Sequence, residues 1–80
     1  MKYNNVVTRC KINLDTDSDV ARFVNIAAKL PGQIVVVDGE GLCVSARSIL
    51  GMLYAMTFTE LWCEADTDIY KHIESFVVLE

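Results

Sequence analysis

Ile34-Val35-Val36-Val37-Asp38-Gly39-Glu40-Gly41-Leu42-Cys43-Val44-Ser45 is the stretch on which the fold class turns. Ile34–Val37 is an unbroken β-branched run and reads as a strand. Asp38-Gly39-Glu40-Gly41 is a hairpin loop, and Leu42–Ser45 returns as the partner strand. A connection this short joins antiparallel strands, because a parallel pair needs a crossover of a dozen or more residues. Upstream, Val6–Ile12 alternates: Val6, Thr8, Cys10 and Ile12 share one face, and Val7, Arg9 and Lys11 the other. Between that strand and the hairpin, Asp15-Thr16-Asp17-Ser18-Asp19 offers helix-capping side chains. Val20, Phe23, Val24, Ala27 and Leu30 follow at helical spacing, and Pro31-Gly32 ends the helix. Downstream, Ser48 caps a short helix over Ile49–Ala55. Glu60–Ala65 alternates as a strand, with Leu61, Cys63 and Ala65 on one face and Glu60, Trp62 and Glu64 on the other. Asp66-Thr67-Asp68 caps a last helix with the stripe Ile69, Ile73, Phe76 and Val77. The order is β-α-β-β-α-β-α. It predicts an α+β fold, an open-faced sandwich of one four-stranded antiparallel sheet with the helices on one face.

Eighty residues support one domain, spanning 1–80, and the 52% hydrophobic content excludes a disordered chain. Seven Lys and Arg against eleven Asp and Glu leave a formal charge of −4. The first thirty residues carry five basic and three acidic side chains, the remaining fifty two and eight. Duplex affinity comes largely from neutralised phosphates, so a nucleic-acid partner is not expected. The longest stretch without a formal charge, Ser48–Thr59, is twelve residues and is broken by Gly51. A membrane span needs roughly 20 apolar residues, so none is predicted. Met1-Lys2-Tyr3-Asn4-Asn5 has no apolar signal core, which leads to the expectation of a cytoplasmic protein.

Cys10, Cys43 and Cys63 are odd in number and widely spaced, each among β-branched or aromatic residues. They read as small buried hydrophobes, with no disulfide framework, metal site or cofactor. The Asp15-x-Asp17-x-Asp19 spacing resembles the start of a calcium loop. However, Val20 stands where that loop needs glycine, and Ile26 where it needs its bidentate Glu. Negative charge at a helix N-terminus explains the acidic residues without a metal. His72 has only Asp68, four residues earlier, on its helix face and makes no site.

Ser45-Ala46-Arg47-Ser48-Ile49-Leu50-Gly51-Met52-Leu53 resembles the S-I-M-G-V-M segment of the HPr family from Gram-positive bacteria. These are the histidine-containing phosphocarriers of the sugar phosphotransferase system. Gly41 fits the glycine of the family's hairpin, Ala21-Arg22-Phe23-Val24 its first helix and Glu60-Leu61 its last strand, so the likeness covers nearly the whole chain. It implies the strand order 1-4-2-3, with Arg9 and Lys11 across from Glu60 and Glu64 on the solvent face.

The family carries phosphate on the histidine of an H-x-R-P motif just before its first helix. The resemblance aligns Thr16, Ser18 and Asp19 with its histidine, arginine and proline, and this chain's one histidine, His72, lies far from that position. Phosphoryl transfer wants a nucleophile and a nearby cation, whereas the carboxylates of Asp15, Asp17 and Asp19 repel a phosphoryl donor. The segment Asp15, Thr16, Asp17, Ser18 therefore reads as a degenerate acceptor region, and no catalytic residue is assigned. An unusual phosphocarrier accepting at Asp15 or Asp17 is the alternative.

In the family the serine matching Ser48 is phosphorylated by a dedicated ATP-dependent kinase, and that form binds a transcription regulator of carbon catabolite control. Ser48 is thus a candidate regulatory phosphorylation site as well as a helix cap. Ile49, Leu50, Met52, Leu53, Tyr54 and Met56 are more apolar side chains than a short helix can bury on one side. The resemblance implies docking of protein partners through this helix and the start of the first. Val7, Val35, Val37 and Trp62 are expected to be exposed on the sheet's outer face, with Trp62 as an anchor and a homodimer as one way of covering it. Ile49, Leu50, Leu53 and Trp62 are the expected partner-binding residues of a non-catalytic regulatory module.

Overall fold

The computed structural model describes residues 6–79 and contains four strands and three helices. In chain order these are β1 (Thr8–Ile12), α1 (Asp17–Ala28), β2 (Ile34–Val37), β3 (Cys43–Ser45), α2 (Ile49–Ala55), β4 (Leu61–Ala65) and α3 (Tyr70–Ile73), followed by a 3₁₀ turn over Glu74–Phe76. The strands form one antiparallel sheet in the order β1-β4-β2-β3. The predicted α+β class, with a four-stranded antiparallel sheet, is the observed one. No helix among the described residues is long and apolar enough to cross a membrane.

Strand alternation decides which side chains meet the helices. Thr8, Ile12, Ile34, Val36, Leu61, Cys63 and Ala65 point inward and are buried. Val20, Phe23 and Ala27 from α1, Met52 and Ala55 from α2, and Ile69, Ile73 and Phe76 from the C-terminal region close the core over them. Phe23 meets Phe76 edge to face, with ring centroids 5.6 Å apart. The α1–β2 turn needs Gly32, whose φ of +80° is open to glycine. Asp66 Oδ1 occupies the space a Cβ would fill there and accepts from the Gln33 amide at 2.9 Å.

Three expectations require correction. Val7 is 63% exposed as expected, but Val35 on the same face is only 6% exposed and Val37 and Trp62 are half-buried, so most of this apolar face is covered. Long neighbours cover it: the Arg9 guanidinium lies 4.4 Å above the Trp62 ring, and Arg9 Nε pairs with Glu64 Oε2 at 2.9 Å. Lys11 faces Trp62 rather than Glu60 in the β1–β4 register, because Glu60 precedes the strand.

Of the acidic cluster before α3, Asp68 bonds the first helical amide, its Oδ1 accepting from Tyr70 N at 3.3 Å. Ile69 occupies the cap position without a side-chain bond, while Asp66 serves the α1–β2 turn. The predicted stripe holds for Ile69, Ile73 and Phe76, but Val77 leaves the helix. It bridges to Ile12 along the outer edge of β1, where Asn13 N donates to Phe76 O and Val78 N to Lys11 O. Val77 N itself still donates to Glu74 O at 3.1 Å, while its neighbours Phe76 and Val78 supply the bonds that cover this edge of β1.

Candidate functional site

Helix α2 divides cleanly by its period. Met52 and Ala55 are fully buried, which removes Met52 from the expected surface, and Met56 is half-buried. Gly51 joins that inner side, where a Cβ would lie 3.3 Å from the Val44 Cβ, so α2 approaches β3 closely. On the other side Ile49, Leu50, Leu53 and Tyr54 are 45%, 77%, 40% and 54% exposed. Their spacing of one, four and five residues from Ile49 sets them on one face. Tyr54 extends the three α2 residues assigned from sequence to the partner surface, and its ring packs edge to face on Phe58.

Ser48 is the N-cap of α2, with extended backbone and its Oγ accepting from Gly51 N at 3.0 Å. It is exposed and borders the apolar face. Arg47 is committed elsewhere: its Nε donates to Ala27 O at 3.0 Å and its Nη2 to Leu30 O at 2.5 Å. The guanidinium thereby gives Ala27 O, which already accepts from Leu30 N at 3.2 Å, a further donor and meets Leu30 O just beyond α1.

The acidic turn is organised as a helix start. Thr16 is the N-cap, and its Oγ1 accepts from Asp19 N at 3.2 Å. Asp19 Oδ2 returns to accept from Asp15 N at 3.0 Å, while its Oδ1 pairs with Arg22 at 3.3 Å. Asn13 Nδ2 donates to Asp15 Oδ1 at 2.8 Å. Asp15, Thr16 and Asp19 are thus held by local bonds; Asp17 and Ser18 are exposed in the first turn. An open cleft of about 490 Å³ is lined by Asn13 and Leu14, just before this turn, and by Met56 and Phe58, just after α2.

The predicted residues therefore fall into three separate places. Ile49, Leu50 and Leu53 share the outer face of α2, with Ser48 at its N-terminal edge. Asn13 and Leu14, just before the acidic turn, share the cleft with Met56 and Phe58 beyond the opposite end of α2, a helix whose seven residues span about 10 Å from Ser48. Trp62 lies on the outer side of the sheet, beneath Arg9 and with its Nε1 donating to Glu60 at 2.8 Å. It is not part of the α2 surface. Sequence reading missed the Arg47 contacts, which bridge seventeen and twenty residues and have no local signature.

Cys10 and Cys43 are half-buried and Cys63 is buried, all three as free thiols. Burial, with Cys10 and Glu64 as lesser causes, pushes the Cys63 thiol up to about 12, and burial raises Cys10 as well. Among the described residues, no group of three or more His, Cys, Asp or Glu side chains is disposed to hold a metal. Comparison of the chain with family models, with curated proteins and with solved structures found no match.

Proposed function

We propose that this chain is a non-catalytic, cytoplasmic protein-binding module of HPr type that docks partners through α2 and is gated by phosphorylation of Ser48. The observation that carries the reading is the outer face of α2, where Ile49, Leu50, Leu53 and Tyr54 are exposed together on seven residues. Contiguous apolar surface of this kind marks interaction sites. Beyond the C-terminal end of α2, Met56 and Phe58 line an open cleft with Asn13 and Leu14, the residues that lead into the acidic turn before α1.

Ser48 suits a gate because it is exposed and lies next to Ile49. A phosphate there adds a charge of about −2 at the edge of the apolar face. That disfavours partners closing over bare side chains and favours those with a basic rim. The bonds made by Asp15, Thr16 and Asp19 support a capping role for the acidic turn rather than phosphoryl acceptance.

Two incubations read by intact-mass spectrometry test the proposal: ATP with the HPr-specific serine kinase, and phosphoenolpyruvate with the first enzyme of the phosphotransferase system. One phosphate from the kinase, absent in Ser48→Ala, and none from phosphoenolpyruvate is the expected result. The phosphorylated form is then titrated into the transcription regulator of carbon catabolite control, where Leu50→Asp should weaken binding by about tenfold or more, on the order of 1.4 kcal/mol. A phosphate from phosphoenolpyruvate overturns the reading in favour of an acceptor in Asp15–Asp19. Absence of kinase product removes the gate, and indifference to Leu50→Asp removes the docking face.

A further inference from the structure

The β1–β4 register sets Cys10 directly opposite Cys63. Residues opposite one another in an antiparallel pair project to the same side of the sheet, here the inner one, where Cys63 belongs to the core and Cys10 packs against it. The kind of pair follows from the outer edge of β1. Lys11 O and Asn13 N bond to the C-terminal segment, so the N–H and C=O groups of Cys10 turn the other way, toward β4. Cys10 and Cys63 are therefore a hydrogen-bonded pair, for which the Cα separation is about 5.5 Å, inside the range a disulfide spans. Cys43 cannot compete, since it lies on β3 at the far edge of the sheet and pairs with Val37 on the outer face.

We propose that Cys10 and Cys63 form a reversible dithiol–disulfide pair, a modification site at which a small-molecule disulfide such as oxidised glutathione links β1 covalently to β4. Cys10 is the half-buried member and makes the first attack. Its thiolate bonds to one sulfur of the oxidant and expels one glutathione thiolate. Cys63 then gives up its proton, attacks the Cys10 sulfur of the mixed disulfide and expels the second glutathione. Two protein thiols are oxidised, one disulfide is reduced to two thiols, and no further reactant is needed.

The geometry favours a labile bond over a permanent staple. Cβ atoms of directly opposed residues lie about 4.5–5.5 Å apart, against the roughly 3.5–4.5 Å of a disulfide, and a hydrogen-bonded pair is at the wide end. β1 must therefore move toward β4 to close the bond, and strained disulfides are the more easily reduced ones. β1 can accommodate this because, among the described residues, only β4 and the short C-terminal segment pair with it.

The test equilibrates the folded chain with a glutathione redox couple, quenches in acid, alkylates free thiols and maps peptides without reduction. The expected product has lost two hydrogen atoms, joins the Cys10 and Cys63 peptides, leaves Cys43 alkylated and reverts in dithiothreitol. The linkage should persist in Cys43→Ser and vanish in Cys10→Ser. Separate glutathione adducts on Cys10 and Cys63, two unmodified thiols there, or a bond from either to Cys43 or to another chain overturns the proposal. So does a linkage that forms only after unfolding in urea.

Discussion

Arg47 Nε donates to the carbonyl of Ala27 at 3.0 Å, so a residue of the β3–α2 turn closes the end of a helix twenty positions earlier. The same guanidinium reaches Leu30 O, and together the two bonds tie α1 to the start of α2. Charge-assisted hydrogen bonds are the stronger ones, but this side chain is exposed and water competes for it. Arg47→Ala should destabilise the protein by about 1–2 kcal/mol in urea unfolding. Arg47→Lys should recover only part of this, because an ammonium lacks the planar fork that meets two carbonyls.

Ser48 combines a structural role with the proposed regulatory one, and substitution separates them. Ser48→Ala removes the acceptor for Gly51 N and should cost about 1 kcal/mol. Ser48→Asp restores a good cap and should return most of that stability, measured as the midpoint of thermal unfolding. A serine kinase should modify neither variant at this position.

Neighbouring positions on α2 should respond in opposite ways. Leu50 is the most exposed side chain of the helix, so Leu50→Asp should change stability by no more than about 0.5 kcal/mol while weakening partner binding. Met52 is fully buried between α2 and the sheet, and Met52→Ala should cost about 2–5 kcal/mol. Denaturant melts of both variants beside the binding titration distinguish a docking face from a folding defect.

Gly32→Ala should destabilise by about 1–3 kcal/mol, because its backbone has φ of +80° and a methyl group would meet the Asp66 carboxylate. Displacing Asp66 also leaves the Gln33 amide without its acceptor. Asp66→Ala in the Gly32→Ala background should relieve the steric conflict but not the missing bond. A double-mutant cycle measured by urea unfolding would read the difference.

Cys63 predicts a specific alkaline weakness. Its thiol ordinarily titrates at 9.0, and burial in the folded chain pushes it up to about 12. The folded state therefore holds this proton more tightly than the unfolded state does. The associated stability is complete below pH 9 and falls as pH rises toward 12. Unfolding free energies measured across that range should fall more steeply for the parent than for Cys63→Ala. Equal slopes would mean that the thiolate is tolerated in the core.

The elements legible in the sequence are those whose causes are local. Ile34–Val37 is a strand because four β-branched residues follow one another, and Ile49–Ala55 is a helix because Ser48 supplies the cap at its start. Alternation assigned Leu61, Cys63 and Ala65 to the inner face without knowledge of what they touch. Thr16 was readable as part of a capping segment, although its reciprocal arrangement with Asp19 was not. The apolar α2 surface was half legible: the excess of large side chains is a property of composition, but which of them turn outward depends on how α2 meets β3.

Sequence alone, then, determined the order and kind of the elements, their caps, and the absence of a histidine where the resembling family carries phosphate. Only the tertiary structure decided which distant groups meet. It covered Val35, drew Val77 out of the last helix onto the edge of β1, turned Arg47 toward Ala27 and set Cys10 across from Cys63. The division has a physical cause. Helix periodicity, strand alternation and caps act over three or four residues, where each residue's own chemistry dominates. The pairings of Arg47 with Ala27, Cys10 with Cys63 and Val77 with Ile12 join residues twenty to sixty-five positions apart, and only the shared burial of the core determines which of many locally equivalent arrangements persists.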